Sequence, residues 1–555
     1  MRQTRRRFMR NMAAAGGGAM LAPLAFISCS RAAGFDVLIR GGRLADGLGS
    51  PLRDADVGIL GDRIAAVGDL AGAAARLEID ARGLIVAPGF IDIHSHSDEG
   101  LTTNPRAESK IRQGVTLDVG GNCGDSPFPE KKPGVGQVRD VGECMNFAEF
   151  VARGAPARFA LNAALFVGHG TIRSLVLGSA ARAPDGHELQ TMRALLEAAL
   201  QQGAVGLSSG LEYMPGGYAA AEELVELCRT VARCGGVYAT HLRSEDERLV
   251  EAVDEALEIA RASGVSLQIS HLKAAGEANW PKTAAVVERI EKARAQGLDV
   301  HCDRYPYLAY STGLSIFFPG WALEGGRAGF LARLRDAPTR RKMQRETLSK
   351  VKANGGWETV MIAAVRAPQN GSLVGRRMDE IARAAGKDPY EAACELLLSE
   401  GGAVSIVGFG MSEADTDRII ALPYVMIASD GYAMSAEQAR RGGQPHPRSF
   451  GTFPRALREY VLGKKIVTME EMIRKMTSMP ADKLGFKERG RIRGGAHADI
   501  VVFDPDRIAD KATYIEPWQY PEGIEHVLVG GSAVILRGRQ TDALPGTWLK
   551  RAAAS

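Results

Sequence analysis

The stretch Gly89-Phe90-Ile91-Asp92-Ile93-His94-Ser95-His96-Ser97-Asp98 is an apolar run that ends in His-x-His. In an extended strand, side chains two apart face the same side, so His94 and His96 can converge on one ion at the strand's end. One such pair is also what an ordinary polar strand end looks like. Later segments repeat the theme. The run Thr116–Val119 leads into Gly120-Gly121-Asn122-Cys123-Gly124, a cysteine in a tight glycine loop. Tyr238-Ala239-Thr240-His241 and Gln268-Ile269-Ser270-His271 each end a strand pattern in histidine, and Ile427-Ala428-Ser429-Asp430-Gly431 ends one in an acid. The chain holds only 10 histidines, so this gathering at strand ends is informative. Imidazole and thiolate are zinc ligands by type.

Around these segments, from about residue 87 to 480, apolar strands alternate with amphipathic helices such as Met192–Gln201 and Arg248–Ala262. That alternation predicts an α/β fold, a parallel (β/α)8 TIM-type barrel, whose chemistry sits at the C-terminal strand ends. Residues 34–86 read instead as short strands with turns, including a hairpin around Gly61-Asp62. Residues 481–555 match them in style, with Ala498–Asp504, His526–Gly531 and Val534–Leu536 as strands. Both ends are expected to form one small β-sandwich. The segment from about 313 to 421 is long, charged and mostly helical, and is read as an insertion in the barrel.

Composition excludes several classes. With 45% hydrophobic and 24% charged residues over 555, the chain is neither disordered nor fibrous. Seven cysteines are too few for a disulfide scaffold of this length. Arg2, Arg5, Arg6, Arg7 and Arg10 lie in a start free of acids, and removing them takes the formal net charge from +4 to −1. A near-neutral body argues against nucleic-acid binding. Thr4-Arg5-Arg6-Arg7-Phe8-Met9-Arg10, followed by the small apolar stretch Met12–Ile27, reads as a twin-arginine signal over residues 1–33. Export to the periplasm by that machinery is the expectation. Phe26-Ile27-Ser28-Cys29 is close to a lipoprotein cleavage box, so lipid anchoring at Cys29 and plain cleavage near Ala33 both stay open.

These motifs resemble the amidohydrolase superfamily and, within it, the N-acyl-D-amino-acid deacylases (D-aminoacylases). The resemblance spans nearly the whole chain after the signal. It runs through His94-x-His96-x-Asp98, the Gly-Asn-Cys-Gly loop at Cys123, Gly168-His169-Gly170-Thr171-x-Arg173 and Gly206–Pro215. It continues through His241-x-Arg243-x-Glu245, Ser270-His271-Leu272-Lys273, Tyr305-Pro306-Tyr307, Ser429-Asp430-Gly431 and His446–Arg455. It implies a deformed barrel beside a β-sandwich, with zinc at the barrel mouth. It further implies one tightly held zinc on Cys123, His241 and His271, and a weaker second position on His94 and His96 that shares the cysteine.

A zinc ion at such a site lowers the pKa of bound water toward about 7 and polarises an amide carbonyl. Asp430 is the candidate proton shuttle from that water to the departing nitrogen. The implied reaction is hydrolysis of N-acyl-D-amino acids to a carboxylate and a D-amino acid; the handedness rests on the resemblance alone. Arg448 offers a bidentate grip for the substrate's carboxylate and Lys273 a point charge, while Tyr213, Tyr305 and Ser311 match positions for hydroxyl donors. His169 is open between a place behind the ligands and an oxyanion donor. The apolar run Leu314–Trp321 favours a hydrophobic side chain on the substrate, or else simply packs the insertion. The rival functions are a periplasmic D-dipeptidase, a cyclic-amide hydrolase of the hydantoinase or dihydroorotase type, and a non-catalytic binding lipoprotein.

Overall fold

The computed structural model describes residues 34–98, 100–153 and 158–551. The twin-arginine segment and Cys29 lie outside the described residues.

The two chain ends meet in one nine-stranded sheet. Its first strand, Phe35–Leu44, shifts register between Ile39 and Gly42, pairing with Ala75–Asp80 before the bulge and Ile85–Pro88 after it. Arg53–Leu60 and Arg63–Gly68 form the expected hairpin, with Leu60 opposite Arg63. The ends join where Ile500–Phe503 runs antiparallel to Ile85–Pro88. That four-residue strand is apolar throughout because both its faces are covered. Ile500 and Val502 pack with Val37, Ile39 and Val57, whereas Val501 and Phe503 pack with Phe90 and Phe453 of the barrel.

Eight parallel strands make the barrel. The first two are Phe90–Asp92 and Val115–Gly120; the third is interrupted at Phe166 into Asn162–Leu165 and Val167–Gly168. Gly206–Gly210, Val237–His241, Ser266–Ile269, Val300–Arg304 and Val425–Ile427 follow as the fourth to eighth. The break at Phe166 is the deformation. Closure between the eighth strand and the first is made by the chain just beyond them: Asp430 N donates to His94 O and His96 N to Gly431 O, each at 2.8 Å. Beneath this seam the buried Lys110 ammonium lies 2.6 Å from both Asp92 Oδ2 and Ser429 Oγ. The surrounding helices carry clear ends. Gly186–Gln201 opens on a capping box of Asp185 and Glu188, and Leu249–Ser263 closes on left-handed Gly264.

The insertion is more than helical. Val360–Ala364 and Ser405–Phe409, inside the segment read as mostly helix, form a three-stranded antiparallel sheet with Ala309–Gly313, which lies just ahead of it. Val360-Met361-Ile362 and Ile406-Val407 are short apolar runs set among charged helices, so no period distinguishes them in sequence. The insertion has its own core, with Leu314, Phe317, Phe330, Leu334 and Tyr390. The helix Glu413–Ala421 has left that core, for Ile419 and Ile420 pack into the barrel.

Candidate metal centre

Four donors face one another at the barrel mouth. Cys123 Sγ lies 3.3 Å from His94 Nε2, 3.6 Å from His271 Nε2 and 3.8 Å from His241 Nδ1. His241 Nδ1 and His271 Nε2 are 3.0 Å apart. Ligands around one tetrahedral zinc at ordinary bond lengths stand about 3.5 Å from each other. Cys123, His241 and His271 therefore fit one zinc in both chemistry and spacing, with His94 set against the same cysteine. His94, Cys123, His271 and Asp430 form one group of mutually close ligand atoms, and His241, Glu245 and His271 another.

Behind each of these imidazoles stands a carboxylate. His94 Nδ1 is 3.1 Å from Asp303, His241 Nε2 is 3.2 Å from Glu212, and His271 Nδ1 is 2.9 Å from Glu245. A carboxylate on the far nitrogen fixes which nitrogen faces an ion and raises its basicity, as is usual for metal-ligating histidines. Asp303 also accepts from His271 N and Gln268 Nε2, each at 2.8 Å, so one acid braces two of the histidine segments. None of these acids stood among the sequence candidates for the site. The signal was there in part: Glu245 follows His241 by four residues in the loop after its strand, and Asp303 and Glu212 lie at or just past strand ends.

The local backbone is unusual. Cys123, His271 and Asp430 all have positive φ, at 52°, 34° and 50°. Non-glycine residues enter this region at a cost and are held there by their surroundings, a common mark of functional sites. Gly124, beside the cysteine, has φ +80°, and a Cβ on it would stand 2.6 Å from Gly210 N. Asp98, the acid of His-x-His-x-Asp, anchors the same loop by accepting from Gly121 N at 2.6 Å. Burial alone would push the Cys123 thiol up, but His94, His241 and His271 together hold its pKa well below the ordinary value. Thiolate character is what a metal ligand needs.

Asp430 bridges the cluster and the substrate side. Its Oδ1 is 3.0 Å from His96 Nε2 and 3.4 Å from His94 Nε2; its Oδ2 is 2.6 Å from Arg448 Nη1. Burial would raise its pKa, but Arg448 and His94 outweigh it and keep the carboxyl well below the usual range. His96 thus meets the cluster at Asp430 and also interacts with Cys123.

A cavity of about 890 Å³ opens over this arrangement. Arg448, Lys273, Tyr213, Tyr305 and Ser311 all line it. Among the described residues the buried Tyr305 hydroxyl has no hydrogen-bond partner, and Arg448 stacks over the Tyr305 ring at 4.8 Å. Tyr213 OH is 3.2 Å from Thr312 Oγ1. Lys273 is more committed than a waiting point charge, with its ammonium 2.6 Å from Glu245 and 2.8 Å from His271 Nδ1. His446, another residue the sequence reading did not single out, accepts from Arg448 N at 3.0 Å and so helps place the arginine. His169 is not brought to the cluster: its Nε2 is 2.8 Å from Glu223, which also takes Arg173. Of the run Leu314–Trp321, only Ile316 and Phe317 reach the cavity wall; Leu314, Phe317 and Phe318 belong to the insertion's core.

A model of the amidohydrolase family matches residues 77–407 and 442–535. D-aminoacylase from Alcaligenes xylosoxydans xylosoxydans is 38% identical over 528 residues, covering 94% of this chain and 98% of that protein. N-acyl-D-glutamate deacylase from the same organism is also 38% identical, over 94% of this chain and 97% of its own. The crystal structure of N-acyl-D-glutamate deacylase from Bordetella bronchiseptica, complexed with zinc and a phosphonate inhibitor, superposes with a TM-score of 0.78 at 34% identity, covering 94% of this chain and all of that one.

Proposed function

Since the chain belongs to the amidohydrolase family, among the N-acyl-D-amino-acid deacylases, and is a hydrolase of amide C–N bonds, we propose that it cleaves N-acyl-D-amino acids in a zinc-dependent reaction. The observation that carries this reading is the cluster of Cys123, His94, His241 and His271 at 3.0–3.8 Å, with a carboxylate behind every imidazole.

Cys123, His241 and His271 would hold the tight zinc, and His94 and His96, sharing the cysteine, a weaker second ion. When bound, the metal supplies a Lewis acid and an activated water at neutral pH. The protein's own groups do the rest. Asp430 stands at the cluster's edge, placed to accept a proton from the attacking water and return it to the leaving nitrogen. Arg448 orients that carboxylate and, with the unpartnered Tyr305 hydroxyl, presents a cation and a donor to the substrate's free carboxylate. Ser311 and Tyr213 extend the same polar wall. Met214, Ile316 and Phe317 form an apolar wall that suits a hydrophobic D side chain.

Hydrolysis of N-acetyl-D- and N-acetyl-L-amino acids by the zinc-loaded protein, followed as released amino acid, tests the reading. The expected outcome is turnover of D substrates with leucine, phenylalanine or methionine side chains; turnover of L substrates or cyclic amides alone would sink it. Export by the twin-arginine route, with or without a lipid on Cys29, is part of the proposal. Changing Arg5 and Arg6 to lysine should leave the protein in the cytoplasmic fraction.

A further inference from the structure

The insertion reaches into the metal centre through one side chain. Lys350 lies in the last turn of the insertion helix Ala337–Ala353 and lines the cavity. Its ammonium sits 2.6 Å from Glu212 Oε1, while the other oxygen of that carboxylate, Oε2, is 3.2 Å from His241 Nε2. His241 in turn presents Nδ1 to Cys123 and His271. A second contact fixes the helix end: Asn354 Nδ2 is 3.1 Å from Asp246 Oδ2, next to the Glu245 that braces His271.

We propose that Lys350 is a positioning residue of the metal centre: through Glu212, the insertion sets the ring of His241. The inference rests on the zinc reading above and adds to it that a lysine outside the barrel completes the site. Two physical points support it. Glu212 has only two oxygens, and with Lys350 holding one, the other is fixed on His241. Lys350 also sets a positive charge 2.6 Å from this part-buried carboxylate, which offsets the cost of holding a negative charge behind the histidine. Held in this way, Glu212 keeps His241 in the tautomer that frees Nδ1.

The test uses the full-length chain and zinc alone, titrated in competition with a chromogenic chelator. Lys350→Met keeps the stem and removes the charge. It is expected to weaken the tight zinc site about 10- to 100-fold, with Lys350→Arg recovering most of the loss and KM for the acylated amino acid near the parent value once zinc is saturating. Glu212→Gln should weaken zinc at least as much. Lys350→Gln serves as the second neutral variant if Lys350→Met does not fold. Zinc affinity unchanged in Lys350→Met overturns the proposal, and a rise in KM with unchanged zinc affinity makes Lys350 a substrate contact instead. If the parent chain itself binds no zinc, the metal reading falls and this inference falls with it.

Discussion

The barrel mouth and the barrel's seam with the nine-stranded sheet are both buried, yet they are built on opposite principles. At the seam, Phe90 stacks on Phe453 at 5.6 Å and tilts against Phe503 at 6.4 Å, among Val501, Val527 and Leu457. That packing holds parts together and asks nothing of particular atoms. At the mouth, four imidazole and thiol donors are crowded together, three residues take left-handed backbone, and acids and cations are buried in contact. The arrangement costs stability by itself and is repaid when an ion binds. Removing a group at the mouth should therefore change chemistry more than folding, and removing one at the seam the reverse.

Cys123→Ala should have the largest effect. It takes the central donor from the cluster, so stoichiometric zinc is lost and hydrolysis falls by about 10⁴-fold; metal analysis after gel filtration reads the first and turnover the second. Zinc retained at full stoichiometry would break the contrast. Asp430→Asn comes next, with zinc retained and kcat down by about 10³-fold. Activity near the parent value would remove Asp430 from its proposed role. At the seam, Phe503→Ala should cost about 3 kcal/mol of unfolding free energy, measured by denaturant titration, while the remaining folded protein keeps its zinc and its KM. A loss of zinc there would show that the two regions are not separable.

The smallest effect is one of pH on the sheet. Burial, helped by Arg537, pushes His526 down to about 4 from its usual 6.5, so the folded chain keeps this ring neutral where the unfolded chain takes up a proton. Its contribution is complete above pH 6.5 and is lost as the pH falls toward 4. Between pH 6.5 and 5 that amounts to about 2 kcal/mol. His526→Gln should flatten this part of the stability profile when urea midpoints at the two pH values are compared; an unaltered slope would remove His526 as its source.

Much of the candidate site was legible because each member announces itself locally. His94, Cys123, His241, His271 and Asp430 each follow an apolar run, and a strand end in a parallel barrel has one direction to face. The groups that orient them were not legible. His94 meets Asp303 across 209 positions, and Glu212 meets Lys350 across 138. Nothing in the spacing of either pair says that they touch. The insertion's antiparallel sheet escaped for a different reason: strands of five residues carry too few turns of any period to stand out among charged helices. For His169 the sequence left two roles open, and its partner Glu223, 54 positions away, was likewise not legible.

By itself, then, the sequence determined the alternation of strand and helix, the joining of the chain ends, and the donor types at successive strand ends. These follow from hydrophobic period and residue chemistry, which act over a few residues. The tertiary structure alone decided that the eighth strand closes on the first through His94 and Gly431, which nitrogen of each histidine faces the cluster, and that Lys350 comes in from the insertion. Those outcomes depend on distances between segments far apart in the chain, and only packing sets them.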